Sequence, residues 1–226
     1  MLRTKNISTC TGNGNYKRIL HYDLSFEVKK GEIILLLGKN GIGKSVLLKS
    51  LMGIMPIEKG DIYINNKRIE SHLEHSSKYF SLLLSQTPQI ELMSADEVAS
   101  TSKSHDIDRH NLESLYLKFN ITHLKNQAFS ILSEGEKQKF MLARSLNQQS
   151  SILLMDEPTS FLDYSSKREF WKLIQEECKQ LQKSAIISTH DIEVAIPYAS
   201  KILILEKERY KWIEDPIRFN ISDLFE

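Results

Sequence analysis

Cysteine is scarce in this chain: Cys10 and Cys178 are the only two among 226 residues, and no CxxC pair exists. That excludes a disulfide framework and a cysteine zinc site, and it fits a reducing compartment such as the cytoplasm. A strong charge of one sign is also missing. The formal net charge is +1, so whole-domain basicity gives no reason to expect nucleic acid as a partner. No apolar run approaches the roughly 18–20 residues of a membrane span, and the opening MLRTKNISTCTGNGN has no apolar core of the signal-peptide kind. Action at a membrane therefore requires docking to something else. There is no internal repeat, low-complexity linker or long charge block.

What is present is a chain of ordinary globular composition, 41% hydrophobic and 26% charged, long enough to bury a core as one domain or one domain with an inserted lobe. Four short apolar runs organise it. Ile33–Leu37 ends at Gly38, Leu82–Leu84 leads to Ser85 and Gln86, Ile152–Met155 ends at Asp156, and Ala185–Ile187 leads through Ser188 and Thr189 to His190. Near-continuous apolar strands of this length read as parallel strands buried on both faces. Ligands of open parallel sheets bind beyond the carboxyl ends of the strands, so Gly38, Gln86, Asp156 and His190 are expected on one rim.

Between the strands, Ser45–Met52 and Leu112–Phe119 read as helical. Phe170, Leu173, Ile174, Cys178 and Leu181 make an apolar stripe at helical spacing. Leu24–Val28 and Asp61–Ile64 alternate like strands, with a turn at Asn65–Arg68. The polar segment from about Pro88 to Leu132 reads as a mostly helical inserted lobe.

Gly38-Lys39-Asn40-Gly41-Ile42-Gly43-Lys44-Ser45 matches GxxxxGK[ST] between a strand and a helix. The glycines let successive N–H groups turn inward around phosphate oxygens, and the helix beginning near Gly43 adds its positive dipole end. Lys44 supplies a charge for the β- and γ-phosphates and Ser45 a hydroxyl for Mg²⁺. Asp156, at a strand tip, can hold Mg²⁺ through water, and Glu157 beside it can polarise an attacking water. Ser133-Glu134-Gly135-Glu136 has two readings: a capping box that starts a helix, or an anion site at that helix N-terminus. Spacing leaves both open.

LSEGE at Leu132–Glu136, about twenty residues before LLMDEP at Leu153–Pro158, makes the chain resemble the ABC-type ATPases, the nucleotide-binding subunits of ABC transporters. The resemblance covers nearly the whole chain. It implies an α/β fold: a P-loop NTPase (RecA-like) core with a mostly parallel sheet over 1–87 and 136–226, carrying an N-terminal antiparallel β subdomain, and an inserted helical subdomain over 88–135.

It further implies ATP and Mg²⁺ as ligands and a head-to-tail dimer, of identical or paired cassettes, holding two ATP molecules. The Walker A loop of one subunit, Gly38 to Ser45 with Val46 following, would face Ser133 and Gly135 of the other. Glu157 would be the general base, His190 would contact the γ-phosphate and Lys44 would complete the catalytic set. Ser45, Gln86 and Asp156 would serve Mg²⁺, with Gln86 also relaying the nucleotide state to a separate membrane permease from the cytoplasmic face. Ser160–Asp163 stands for the family's D-loop, and Tyr16 is the candidate to stack on adenine.

Three features depart from the family pattern: Val46 replaces a threonine, and Glu134 and Glu136 replace Gly and Gln. The remaining histidines, at 21, 72, 75, 105, 110 and 123, read as scattered surface residues, with His72 and His75 a weak metal pair. A chain ending soon after the core leaves no room for a regulatory domain. One cassette argues against tandem-cassette ribosomal factors, and the lack of a coiled-coil insertion against DNA-repair members. Two alternatives share the motifs: an ATPase of a soluble assembly scaffold of the iron–sulfur type, and a degenerate cassette that clamps ATP structurally.

Overall fold

A computed structural model describes residues 1–12, 17–69, 78–101 and 108–220. The strands in chain order are β1 (Leu2–Thr11), β2 (Arg18–Leu24), β3 (Glu27–Val28), β4 (Ile33–Leu37), β5 (Ile57–Ile64), β6 (Lys67–Ile69), β7 (Phe80–Leu83), β8 (Ile152–Asp156), β9 (Ser184–Ser188), β10 (Lys201–Leu205) and β11 (Tyr210–Ile213). The helices are α1 (Lys44–Leu51), α2 (Ala95–Ser100), α3 (Arg109–Lys118), α4 (Glu134–Asn147), α5 (Tyr164–Gln180) and α6 (Ile192–Ala195).

The central sheet runs β11-β10-β4-β9-β8-β7. Every pair from β10 to β7 is parallel and only β11 is antiparallel. The four apolar runs read in the sequence are thus neighbours whose carboxyl ends share a rim. Their continuity has a packing cause: both faces of the sheet are covered. Ile33, Leu35 and Leu37 of β4 face a core shared with α5 and the helical segments after β7, while Ile34 and Leu36 face a second core shared with α1 and the antiparallel strands. Alternation survives in direction but not in hydrophobicity, because each direction is dry.

The second sheet, β2-β1-β5-β6 with β3 on β1, is antiparallel. Asn65 and Asn66 turn β5 into β6 with both φ positive, at 50° and 64°, as a two-residue hairpin turn requires. The expected strand Leu24–Val28 divides instead. β2 ends at Leu24 and β3 begins at Glu27, because Asp23 takes a left-handed φ of 49° and Thr4 captures Leu24 and Phe26 carbonyls with its hydroxyl.

Residues 88–135 contain α2 and α3, two short 3₁₀ turns and the first residues of α4. α2 and α4 begin with capping boxes at Ser94/Glu97 and Ser133/Glu136. On α5 the buried stripe is Phe170, Trp171, Ile174, Glu177 and Cys178. Leu181, expected in it, lies past the helix end and is exposed, while Trp171 takes the largest buried volume.

Candidate phosphate cradle and catalytic site

β4 is dry along its length and stops at Gly38, whose φ of 146° and close neighbour exclude a side chain: a Cβ would lie 2.7 Å from the carbonyl oxygen of Leu205. Gly43, with φ of 108°, leads into α1 without a side-chain cap. The N–H groups of Gly43, Lys44, Ser45 and Val46 have no acceptor among the described residues, the first bond of the helix being Leu47 N to Gly43 O at 2.9 Å. Four unpaired amides at a helix start are the electrostatic complement of an anion.

Lys44 is 7% exposed and its Nζ donates to Gly38 O at 2.8 Å. Burial pushes the ammonium below its usual range, opposed by the carboxylates of Glu157 and Asp156. Those carboxylates come from the tip of β8, so the loop after β4 and the end of β8 meet electrostatically. Asp156 is buried, with Oδ1 accepting from Ser188 Oγ at 2.6 Å across from β9.

Glu157 turns sharply, at φ 49°. Its N–H bonds to Ser188, 3.1 Å to the carbonyl and 3.0 Å to the hydroxyl. A left-handed non-glycine residue costs about 1–3 kcal/mol and gathers at functional sites. Its side chain meets His190: the His190 N–H donates to Oε2 at 3.1 Å and Nε2 lies 3.0 Å from Oε1. Burial raises the Glu157 pKa, opposed by His190 and Lys44. A carboxylate held above its ordinary value is a better proton acceptor near neutrality.

Lys44, Asp156, Glu157 and His190 are therefore assembled, while Ser45 is half-buried within α1. Asp191 after His190 accepts from Thr159 Oγ1 and Lys167 Nζ, both at 2.7 Å, tying this turn to the one after β8. Lys39, Asn40 and Gly41 are exposed at the crest of the loop, with Ile42 partly buried beneath.

Other expected residues stand apart. Gln86 is exposed, and no side-chain contact joins it to Lys44, Asp156 or Glu157. Ser133 sits at the start of α4 with its hydroxyl and N–H both on Glu136 Oε2, at 2.7 and 2.8 Å, so the capping reading holds within the chain. Gly135 faces the D-loop, where a Cβ would lie 3.3 Å from Phe161 O. Tyr16, His72, His75 and His105 lie outside the described residues. His110 and His123 are exposed. His21 is not a surface residue, contrary to the sequence reading: it is 3% exposed, because it points inward from β2 against the glycine loop.

Sequence reasoning had no signal for His21, Thr159 or Lys167, whose partners are distant in the chain. Ser188 was visible in the run to His190, but its grip on Asp156 was not.

Of the residues expected to serve a divalent cation, Ser45 offers a hydroxyl, Asp156 a carboxylate and Gln86 an amide oxygen, with Gln86 standing apart from the other two. Asp156 Oδ2 has no partner among the described residues. All are hard oxygen donors, which suit Mg²⁺.

The ABC transporter family model matches residues 22–160, more than half of the chain. An uncharacterized ABC transporter ATP-binding protein of Methanocaldococcus jannaschii is 30% identical over 225 residues, covering 92% of this chain and 74% of the relative. The hemin import ATP-binding protein of Vibrio parahaemolyticus is 30% identical over 232 residues, covering 96% and 85%. Among solved structures, CbiO1 of Clostridium perfringens, part of the cbiONQ ABC transporter complex, superposes with a TM-score of 0.77 at 26% identity, covering 95% and 88%. A dimeric ATP-binding cassette bound to ADP and Pi shares the fold, with a TM-score of 0.80 at 22% identity, covering 94% and 98%. The chain belongs to the ABC transporter family of ATP-binding proteins.

Proposed function

We propose that Gly38–Ser45, with Val46 behind it, holds the triphosphate of ATP, and that Glu157 is the base that activates the hydrolytic water. The protein is an ATPase subunit of an ABC transporter. The observation that carries the residue assignment is the convergence of Lys44, Asp156, Glu157 and His190 from three loops of one sheet rim.

In this reading the free amides of residues 43–46 and the Lys44 ammonium seat the phosphates, and Lys44 leaves Gly38 O to do so. Glu157, raised in pKa by burial, accepts the water proton on the unpartnered Oε1, and His190 fixes Oε2 through its backbone N–H while its ring faces the γ-phosphate. Ser45, Asp156 and Gln86 would hold Mg²⁺, which when bound neutralises phosphate charge. Val46 adds an amide but no hydroxyl, which costs about 0.5–1.5 kcal/mol of nucleotide affinity relative to threonine.

The second half of each site comes from a paired cassette in this proposal, identical or not, through Ser133 and Gly135. Two observations support it. Ser133 has no hydrogen bond to its own chain's cradle among the described residues, and Phe161, whose carbonyl lies against Gly135, and Tyr164 are exposed at 50% and 67%. Aromatic exposure of this kind fits an interface. Glu136 must give up the Ser133 hydroxyl when a phosphate arrives.

Residues 88–135 are proposed as the lobe that receives a separate permease on its cytoplasmic side. Thr87 Oγ1 donates to Glu134 Oε2 at 2.6 Å, so the residue after Gln86 is tied to the signature helix. No helix among the described residues is long and apolar enough to cross a membrane.

ATP turnover by the complex of this chain with its permease, compared with Lys44→Ala, tests the reading. Loss of both nucleotide binding and turnover in Lys44→Ala is expected, and native turnover in that variant would overturn the cradle assignment.

A further inference from the structure

β2 delivers a buried imidazole to the underside of the phosphate loop. His21 pairs across strands with Thr9 of β1, and its Nδ1 lies 2.6 Å from Thr9 Oγ1. Its Nε2 lies 3.1 Å from the carbonyl oxygen of Ile42. A carbonyl can only accept, so Nε2 carries the proton, and bare Nδ1 accepts from the Thr9 hydroxyl. One neutral tautomer satisfies both partners. Burial keeps the ring neutral by pushing its pKa down to about 4.

The ring also closes the space at Gly43, where a Cβ would lie 2.8 Å from His21 Cε1 and 3.0 Å from Nε2. The Ile42–Gly43 peptide is planar and trans, so its C=O and N–H point in opposite directions. Drawing the oxygen toward β2 aims the Gly43 N–H away from that strand, and the amides of Lys44, Ser45 and Val46 that follow it also have no acceptor among the described residues. The glycines that shape this loop also leave it free to turn that peptide over. The flipped peptide would present a carbonyl lone pair to a phosphate, replacing attraction by repulsion.

We infer that His21 is a positioning residue for the phosphate cradle: its Nε2–H locks the Ile42–Gly43 peptide with the Gly43 N–H facing the bound phosphates, so the antiparallel sheet sets phosphate affinity. The inference rests on Gly38–Ser45 being that cradle.

The test measures ATP and ADP dissociation constants, melting temperature and the Gly43 amide resonance in the wild type, His21→Leu, His21→Gln and Thr9→Val. Leu fills the space without a donor, whereas Gln keeps an N–H that reaches the Ile42 oxygen. A folded His21→Leu protein is expected to bind both nucleotides about tenfold or more weakly, with the Gly43 amide resonance displaced. His21→Gln should restore affinity to within about threefold.

Thr9→Val, which frees the tautomer, should displace the same resonance and weaken binding in the same direction. It decides the matter if His21→Leu does not fold. Wild-type affinity in folded His21→Leu, or an undisturbed Gly43 amide in Thr9→Val, overturns the inference. Equal losses in the Leu and Gln variants that track melting temperature also overturn it, as they would mark a purely structural role. A wild type that binds neither nucleotide overturns the cradle assignment as well; binding that ignores His21 sinks this inference alone.

Discussion

His190 orients Glu157 through its backbone: the His190 N–H donates to Oε2 at 3.1 Å, while the ring Nε2 stands 3.0 Å from Oε1 without a hydrogen bond between them. The two residues follow neighbouring strands, β8 and β9, whose register fixes Asp156 opposite Ser188. A carboxylate hydrogen-bonded at one oxygen, with the other buried and unpaired among the described residues, has its direction set and an acceptor free before any substrate arrives, which suits a proton acceptor.

Glu157→Gln should lose about 10²–10⁴-fold in turnover while keeping nucleotide affinity, because the amide cannot take a proton but preserves shape. With ATP present the variant should run as a stable dimer in size-exclusion chromatography. Turnover at the native rate would remove Glu157 from the base role.

His190→Ala should lower kcat at least about tenfold with the ATP dissociation constant within about threefold, since the His190 ring stands beside Glu157 but does not build the amide cradle. Equilibrium nucleotide binding measured beside steady-state turnover separates the two. A variant that loses affinity and rate by the same factor would contradict this division.

Stability should fall on acidification partly because of His21. Its pKa is about 4 in the fold against 6.5 unfolded, so the unfolded chain binds the proton more readily between those values. The contribution is fully present above pH 6.5 and is lost as pH drops through that window, by about 3 kcal/mol at most. Urea melts from pH 7 to pH 4 should show a shallower slope in His21→Gln. Identical slopes would mean His21 does not titrate on unfolding.

Two glycines of the loop should respond differently to alanine. Gly38→Ala drives a Cβ to 2.7 Å from the Leu205 carbonyl at φ 146° and is expected to cost about 2–4 kcal/mol. Gly41→Ala meets nothing within 4 Å, and its φ of 78° alone costs about 1 kcal/mol. Chemical denaturation of both variants checks the order. The reverse order would mean that β10 yields and Gly41 does not.

Much of the site was legible because its chemistry is local. Gly38 to Ser45 runs continuously from a strand end into a helix start, and Asp156 closes, with Glu157 following, a strand of five consecutive buried residues. The boundaries were less legible where tertiary contacts override pattern. Leu24–Val28 alternates like one strand, yet Thr4 on β1 bonds to carbonyls on both sides of the break. His21 reads as one of several scattered surface histidines, and only the approach of the glycine loop shows that it is buried.

The sequence by itself determined the glycine loop between strand and helix, the paired acids and the parallel character of the apolar runs, because backbone freedom at glycine, carboxylate chemistry and hydrophobic burial act within a few residues. Only the tertiary structure decided that Glu157 is gripped by His190, that Ser188 holds Asp156 and that His21 braces the loop from beneath. Each of these is a contact between segments separated by twenty or more residues, and hydrogen-bond geometry exists only once the strands that carry them are stacked in register.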